Sequence, residues 1–323
     1  MPKSVAIIGA GVSGLTCGVL FAERGFRSAI FAEQIGQATT SGAAAALWFP
    51  YDAEPVAKVI PWALATYKVL VDLTKNPRSG VSMIELRQYC RTGEIQIPDW
   101  AKPFVISTAS SVIPSGVEGS LDVSGSGFSS GFSLNVPLMD TTIYLDYLVS
   151  RFQKAGGVIN TNVRFEKLED VDPKFDLVIN CAGIGAHELV GDVDLEPHRG
   201  QVAIVPRIDD INCAIVCDDA PLMYAIPRTN DCVFGGTNEI SNDLDANPTT
   251  TIAIVSECAR ILKIDNPRIL RERVGLRPFR KSGVRLEREK LSDGRTVIHN
   301  YGHGGSGFTL SWGCAENVFQ LVG

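Results

Sequence analysis

Three stretches of the chain carry residue types whose spacing could do chemistry. In Arg273-Val-Gly-Leu-Arg-Pro-Phe-Arg280, Arg277 stands in an apolar, proline-bounded segment. A guanidinium buried there needs an anionic partner, and its planar fork can hold a carboxylate through two parallel bonds. A solvated surface charge is the alternative. The second stretch, Gly9-Ala-Gly-Val-Ser-Gly14, has the spacing of a dinucleotide-binding turn. Gly9 would permit the sharp bend, Gly11 the approach of a pyrophosphate to the backbone around Val12 and Ser13, and Gly14 the close packing of helix on strand. The third stretch, Gly302-His-Gly-Gly-Ser-Gly307, is another glycine-rich turn near the other end of the chain. His299 and His303 stand four apart. On one helix this would suit a metal, but here they flank a strand end and a turn. No metal is expected, and His303 is expected to hydrogen-bond within its turn.

These residues need elements to position them. Ser4–Ile8 is a short β-branched run of the kind found in buried parallel strands. Leu15, Val19 and Ala22 recur at helical spacing and Gly25 ends the helix. Ser28–Ala32 reads as the next strand and ends on Glu33, placed to accept hydrogen bonds from ribose hydroxyls. An acid there disfavours a 2′-phosphate and leaves NAD or FAD. Thr39–Pro50 is a loop of small and hydroxyl residues ending in an aromatic cluster, suited to packing against a flat ligand. Ile60, Ala63, Tyr67 and Leu70 mark a helix, and Met83–Tyr89 a strand. Residues 106–133, rich in Ser and Gly, read as a long loop or weak hairpin. Asp140 opens a helix closed by Gly156-Gly157, and Val158-Ile159 and Asp176–Gly183 are further strands. Between 199 and 237 the pattern becomes β segments split by turns, expected as an antiparallel sheet on its own. Residues 248–263 form a helix. The second glycine turn again links a strand to a helix, so the two ends of the chain are expected to fold together over one long cofactor. An NAD enzyme has no need of that turn.

Composition limits the alternatives. The 323 residues are 45% hydrophobic and 20% charged, ordinary for a globular protein and enough for a large core. A formal charge of −6 leaves no electrostatic footprint for nucleic acid. No apolar run approaches the roughly 18 residues of a membrane span, and the glycines of the N-terminal stretch argue against a signal peptide. The eight cysteines include no C-x-x-C and read as reduced thiols.

Taken together, Gly9–Leu15, Ala44-Ala-Ala-Leu-Trp-Phe-Pro50, Val178-Ile-Asn-Cys-Ala-Gly183, Arg199-Gly-Gln201, Gly275-Leu-Arg-Pro278, Arg285-Leu-Glu-Arg-Glu289 and His299-Asn-Tyr-Gly-His-Gly-Gly305 resemble the FAD-dependent D-amino-acid oxidase family along essentially the whole chain. The resemblance implies an α/β fold. A Rossmann-like FAD-binding domain would comprise residues 1–50, 138–190 and 285–323. A second, mainly antiparallel β-sheet substrate domain would comprise 51–137 and 191–284. It further implies that Arg277 grips a substrate α-carboxylate, that Tyr224 shares it, and that the Gly305 carbonyl receives the amine. Glu33, Thr39, Thr40, Ser41, Ala46, Leu47, Val163, Cys181, Gly304, Gly307, Phe308 and Thr309 would touch the flavin, along with the residues of the first turn. The implied reaction is hydride transfer from a D-amino acid to the flavin, then reoxidation by dioxygen to hydrogen peroxide. A related oxidase of glycine, sarcosine or D-aspartate is the near alternative, and an NAD-dependent dehydrogenase the distant one.

Departures from the family pattern set further expectations. Cys217–Met223 is short and lacks the tyrosine that animal members carry there, so no tyrosine lid is expected. Phe49, Ile226, Ser306 and Arg228 are expected around the substrate. Phe49 would make the wall more apolar, Ser306 would leave room for larger side chains, and Arg228 would favour acidic ones. Gln320-Leu-Val-Gly323 is not a peroxisomal signal. A cytoplasmic homodimer is the remaining expectation.

Overall fold

The structure is a computed structural model and describes residues 3–110 and 127–322. In chain order the first strands are β1 (Ser4–Ala10), β2 (Arg27–Ile35), β3 (Val81–Cys90), β4 (Val105–Ser110) and β5 (Ser130–Met139). Next come β6 (Val158–Thr161), β7 (Leu177–Asn180), β8 (Leu195–Pro206), β9 (Cys213–Cys217) and β10 (Met223–Pro227). The last are β11 (Asp231–Gly235), β12 (Glu239–Ile240), β13 (Arg271–Arg280), β14 (Arg285–Lys290) and β15 (Thr296–Tyr301). The α-helices are α1 (Val12–Glu23), α2 (Thr40–Ala43), α3 (Val56–Leu73), α4 (Thr141–Lys154), α5 (Ala186–Leu189), α6 (Pro248–Leu262) and α7 (Gly307–Gln320).

Six strands form one sheet in the order β14-β15-β7-β1-β2-β6. The five from β15 to β6 are parallel, and β14 is an antiparallel edge. The run Val5, Ala6 and Ile7 is wholly buried, as a central strand covered on both faces requires. Helix α1 is buried along nearly its whole length and packs on both α4 and α7. Gly18 makes room there, because a Cβ would meet Ile30 and Phe152 at 2.9 and 3.2 Å. Helix α4 starts where Asp140 accepts a hydrogen bond from the Thr142 amide at 3.1 Å, a cap worth about 1 kcal/mol.

Nine strands form the second sheet, β12-β8-β11-β10-β9-β3-β5-β4, with β13 added along β8. The segments of 199–237 are antiparallel as expected, but they do not stand alone. The pairing of β9 with β3 is parallel and joins them to β3, β5 and β4. The reason is that β9 would otherwise be an edge with an unpaired ladder, and β3, laid down early in the chain, supplies that partner. Residues 105–110 and 130–139 are paired strands, so the weak-hairpin reading holds for its arms. Its remainder, 111–126, lies outside the described residues. Among the described residues no helix is long and apolar enough to cross a membrane. All eight cysteines are unbridged and buried.

Candidate active site

A cavity of about 1230 Å³ runs from the carboxyl ends of β1, β2 and β7 to one face of the nine-stranded sheet. This is where open α/β sheets bind ligands. Local backbone chemistry builds the first half. Gly9 has φ +103°, and a Cβ there would lie 2.4 Å from the Cys181 carbonyl oxygen. A Cβ on Gly14 would lie 2.0 Å from the Gly9 oxygen. The turn from β1 into α1 is therefore closed to any larger residue. Gly14 does its work from beneath and does not line the cavity.

Helices α1 and α7 both begin at this cavity. Neither has a side-chain N-cap or an acidic residue in its first turn. Apart from the Val12 amide, which Ser41 takes, their N–H groups and positive dipole ends are suited to a pyrophosphate. Ser41 Oγ takes a hydrogen bond from the Val12 amide at 3.0 Å. Glu33, exposed at the cavity edge, stands 3.6 Å from Arg164. Gly11, Val12, Ser13, Thr39, Thr40, Ala46, Leu47, Val163, Cys181, Gly304, Gly305, Gly307 and Phe308 all line the walls. A pair of helix starts without side-chain N-caps, an acid on β2 at the cavity edge and a wall of alanines over 43–46 fit the expected dinucleotide with its flat ring.

His303 sits in the second turn, fully buried. Its Nε2 pairs with Asn300 Oδ1 at 3.0 Å and its Nδ1 faces Ser13 Oγ at 3.5 Å. One neutral tautomer satisfies both contacts, and burial pushes the ring down to about 4. The ring thus ties the two glycine turns together, rather than hydrogen-bonding within its own turn as expected. His299 lies elsewhere, between Asn180 and Glu289. Among the described residues no group of three His, Cys, Asp or Glu side chains is arranged to hold a metal.

Side chains from distant strands build the second half. Val202, Gly235, Tyr224, Val216 and Gln88 pair in one row across β8, β11, β10, β9 and β3. Residues two positions along a strand share a face, so Leu86, Asp218, Leu222 and Ile226 turn to the same cavity. Arg277, on β13, lies over Gly200, where a Cβ would sit 2.5 Å from its guanidinium. It donates to the Thr237 carbonyl at 2.9 Å. Among the described residues no carboxylate comes within 4.0 Å of Arg277. Among the described residues, no protein group is therefore the anionic partner that its surroundings call for. Tyr224 lies over Gly235, where a Cβ would be 2.0 Å from its ring. Burial raises its phenol, while the adjacent Arg277 charge pulls it down.

Tyr51 was not foreseen in the sequence. Its ring covers Gly305, where a Cβ would lie 2.5 Å from the ring, and the neighbouring Asp52 carbonyl closes over Gly304, which has φ +52°. Desolvation raises the Tyr51 phenol; Asp218 raises it further and Arg277 lowers it. A tyrosine thus faces the site from the connection between α2 and α3, although the β9–β10 connection has none. Phe49 lines the wall and packs edge-on against Trp100 at 5.3 Å.

Three expected positions are corrected. Arg228 is buried and faces away from the cavity, paired with Asp231 at 2.7 Å and bonded to Thr141 at 2.9 Å; a guanidinium already neutralised there has no charge to offer a substrate. Ser306 is fully buried, and its Oγ takes the Tyr51 amide at 2.7 Å, so its small size serves the loop crossing rather than the substrate. Thr309 likewise spends its hydroxyl on the Phe49 amide at 3.1 Å and carbonyl at 3.0 Å and does not line the cavity. Of the residues missed, Leu222 was recoverable from the alternation around Tyr224. Gln88 and Asp218 needed the register of β3 on β9.

Comparison with known proteins agrees with this geometry. The sequence profile of the family described as FAD dependent oxidoreductase matches residues 4–321. A D-amino-acid oxidase of Rubrobacter xylanophilus is 36% identical, covering 98% of this chain and 95% of that protein. Another, from Dictyostelium discoideum, is 36% identical over 99% of this chain and 92% of that protein. Among solved structures, glycine oxidase from Geobacillus kaustophilus superposes with a TM-score of 0.81 at 16% identity, covering 99% and 95% of the two chains. At that identity the likeness speaks for the fold.

Proposed function

Since this chain belongs to the FAD dependent oxidoreductase family, we propose that it is an oxidase of D-amino acids, releasing a 2-oxo acid, ammonia and hydrogen peroxide. The observation that carries the proposal is the half-buried Arg277 guanidinium, facing the cavity with no carboxylate among the described residues to neutralise it. We assign residues 1–50, 138–190 and 285–323 to flavin binding, and 51–137 and 191–284 to the substrate.

In this reading Arg277 takes the substrate carboxylate through two parallel bonds, and the Tyr224 hydroxyl donates to the same group. The Gly305 carbonyl receives the amine, which reacts as the free base so that its lone pair forms the C=N bond as the hydride leaves. Held at both groups, the substrate can turn only its Cα–H toward the ring, and such positioning supplies much of a rate enhancement. FAD held by the two glycine turns would supply the hydride acceptor and the means of returning its electrons to dioxygen. Water then releases ammonia and the 2-oxo acid from the imino acid. The chain need not move a proton from carbon, which agrees with a His303 ring already engaged by Asn300 and Ser13. A cytoplasmic homodimer completes the proposal.

The test is the visible spectrum of the purified holoenzyme under anaerobic conditions. Addition of D-alanine or D-methionine should bleach the flavin band, and admission of air should restore it with release of peroxide. Bleaching by glycine or sarcosine alone would assign the chain to the related amine oxidases. A colourless protein that reduces NAD would overturn the reading.

A further inference from the structure

The cavity holds a second charge that the chemistry above does not use. Asp218 is exposed at the end of β9, lines the cavity there and accepts a hydrogen bond from Gln88 Nε2 at 2.9 Å. Among the described residues no cation lies within 4.0 Å of that carboxylate. Its neighbour Asp219 is turned to a different task, accepting from the Arg91 amide at 2.6 Å. A carboxylate on a ligand cavity with no cation of its own is complementary to a cationic donor on the ligand.

The register sets how far that donor must be from the substrate carboxylate. Arg277 lies over Gly200, two residues before Val202 on β8, and Asp218 lies two residues after Val216 on β9. The intervening pairings are all antiparallel, so both shifts fall on the same side of the Val202–Gly235–Tyr224–Val216 row. Three strand spacings of about 4.8 Å then separate guanidinium and carboxylate by roughly 14 Å. Two charge-assisted hydrogen bonds of about 2.8 Å each leave about 8 Å to be spanned by the ligand. That is the reach of an extended lysine or arginine from its carboxylate to its terminal nitrogen, and far beyond alanine. Leu222, with Val216 in the row, offers apolar wall between the two ends, against which a methylene stem can lie.

We propose that Asp218 is the specificity-determining residue of this site and selects D-amino acids whose long side chain ends in an ammonium or guanidinium. The proposal rests on the oxidase reading. The test compares kcat/KM of the holoenzyme for D-lysine with that for D-norleucine, which has nearly the same stem without the nitrogen. In the native enzyme D-lysine should be preferred roughly ten- to a hundredfold, the worth of one charge-assisted bond. Asp218→Asn, which keeps an acceptor for Gln88, should abolish that ratio. D-Norleucine oxidised as well as D-lysine by the native enzyme would overturn the proposal while leaving the oxidase reading intact. So would an equal loss on both substrates in Asp218→Asn, which would move the carboxylate to the α-ammonium. Absence of flavin bleaching with every D-amino acid would overturn both.

Discussion

In the proposed reading, the two halves of the cavity recognise their ligands by different means. Around β1, β7 and the starts of α1 and α7, recognition belongs to the backbone: two helix ends without side-chain N-caps, glycines that allow close approach, and short side chains. On the nine-stranded sheet it belongs to side chains delivered by separate strands, with Arg277, Tyr224 and Asp218 coming from β13, β10 and the end of β9. Glycine serves both halves in opposite ways. Gly9 and Gly14 let backbone meet backbone, whereas Gly200 and Gly235 leave the floor bare so that Arg277 and Tyr224 can lie flat on it. A phosphate-binding turn tolerates almost nothing, while a side-chain floor can be re-specified one residue at a time.

If that contrast is right, the largest effect should come from the backbone half. Gly14→Val places a branched side chain where even a Cβ would lie 2.0 Å from the Gly9 oxygen. Loss of bound flavin is expected, read as the ratio of absorbance near 450 nm to that near 280 nm. Retention of a full complement would mean that the close packing is dispensable. Arg277→Leu should leave flavin content intact and lower kcat/KM by about 10² to 10⁴, since two charge-assisted bonds at about 1.5–3 kcal/mol each are lost. An unchanged kcat/KM would remove Arg277 from the site, and a parallel loss of flavin would dissolve the distinction between the halves.

A smaller effect should come from the ring that joins the two turns. His303 is held down to about 4 by burial, against an ordinary 6.5. Between those values the unfolded chain binds the extra proton and the folded one does not. Stability is therefore complete above the ordinary value and declines as pH falls toward 4, by up to roughly 3 kcal/mol. Urea midpoints from pH 7 to 4 should fall more steeply for the native protein than for His303→Gln. His299, also lowered by burial, acts in the same sense in both. Parallel curves would show that His303 is not buried as a neutral ring.

What could be read without coordinates follows the same division. The turn at Gly9–Gly14, the acid at Glu33 and the second turn at Gly302–Gly307 are contiguous in the chain, and their function follows from backbone geometry that a few adjacent residues determine. The pairing of the chain's two ends was legible because each turn has a strand before it and a helix after it. The resemblance carried Arg277 and Tyr224 into the site, and the structure leaves both facing the cavity.

Arg228 and Ser306 were misplaced for a physical reason: proximity in sequence to a site says nothing about which way a side chain turns, and each had a nearer partner, Asp231 for one and the Tyr51 backbone for the other. Tyr51, Gln88 and Asp218 were invisible because their roles depend on long-range pairing. Local sequence, then, determined the two glycine turns, since a turn's conformation is set by the steric limits of its own few residues. Only the tertiary structure decided the substrate floor, because strand register brings together residues more than a hundred positions apart, and a slip of one residue would have turned every one of them to the other face.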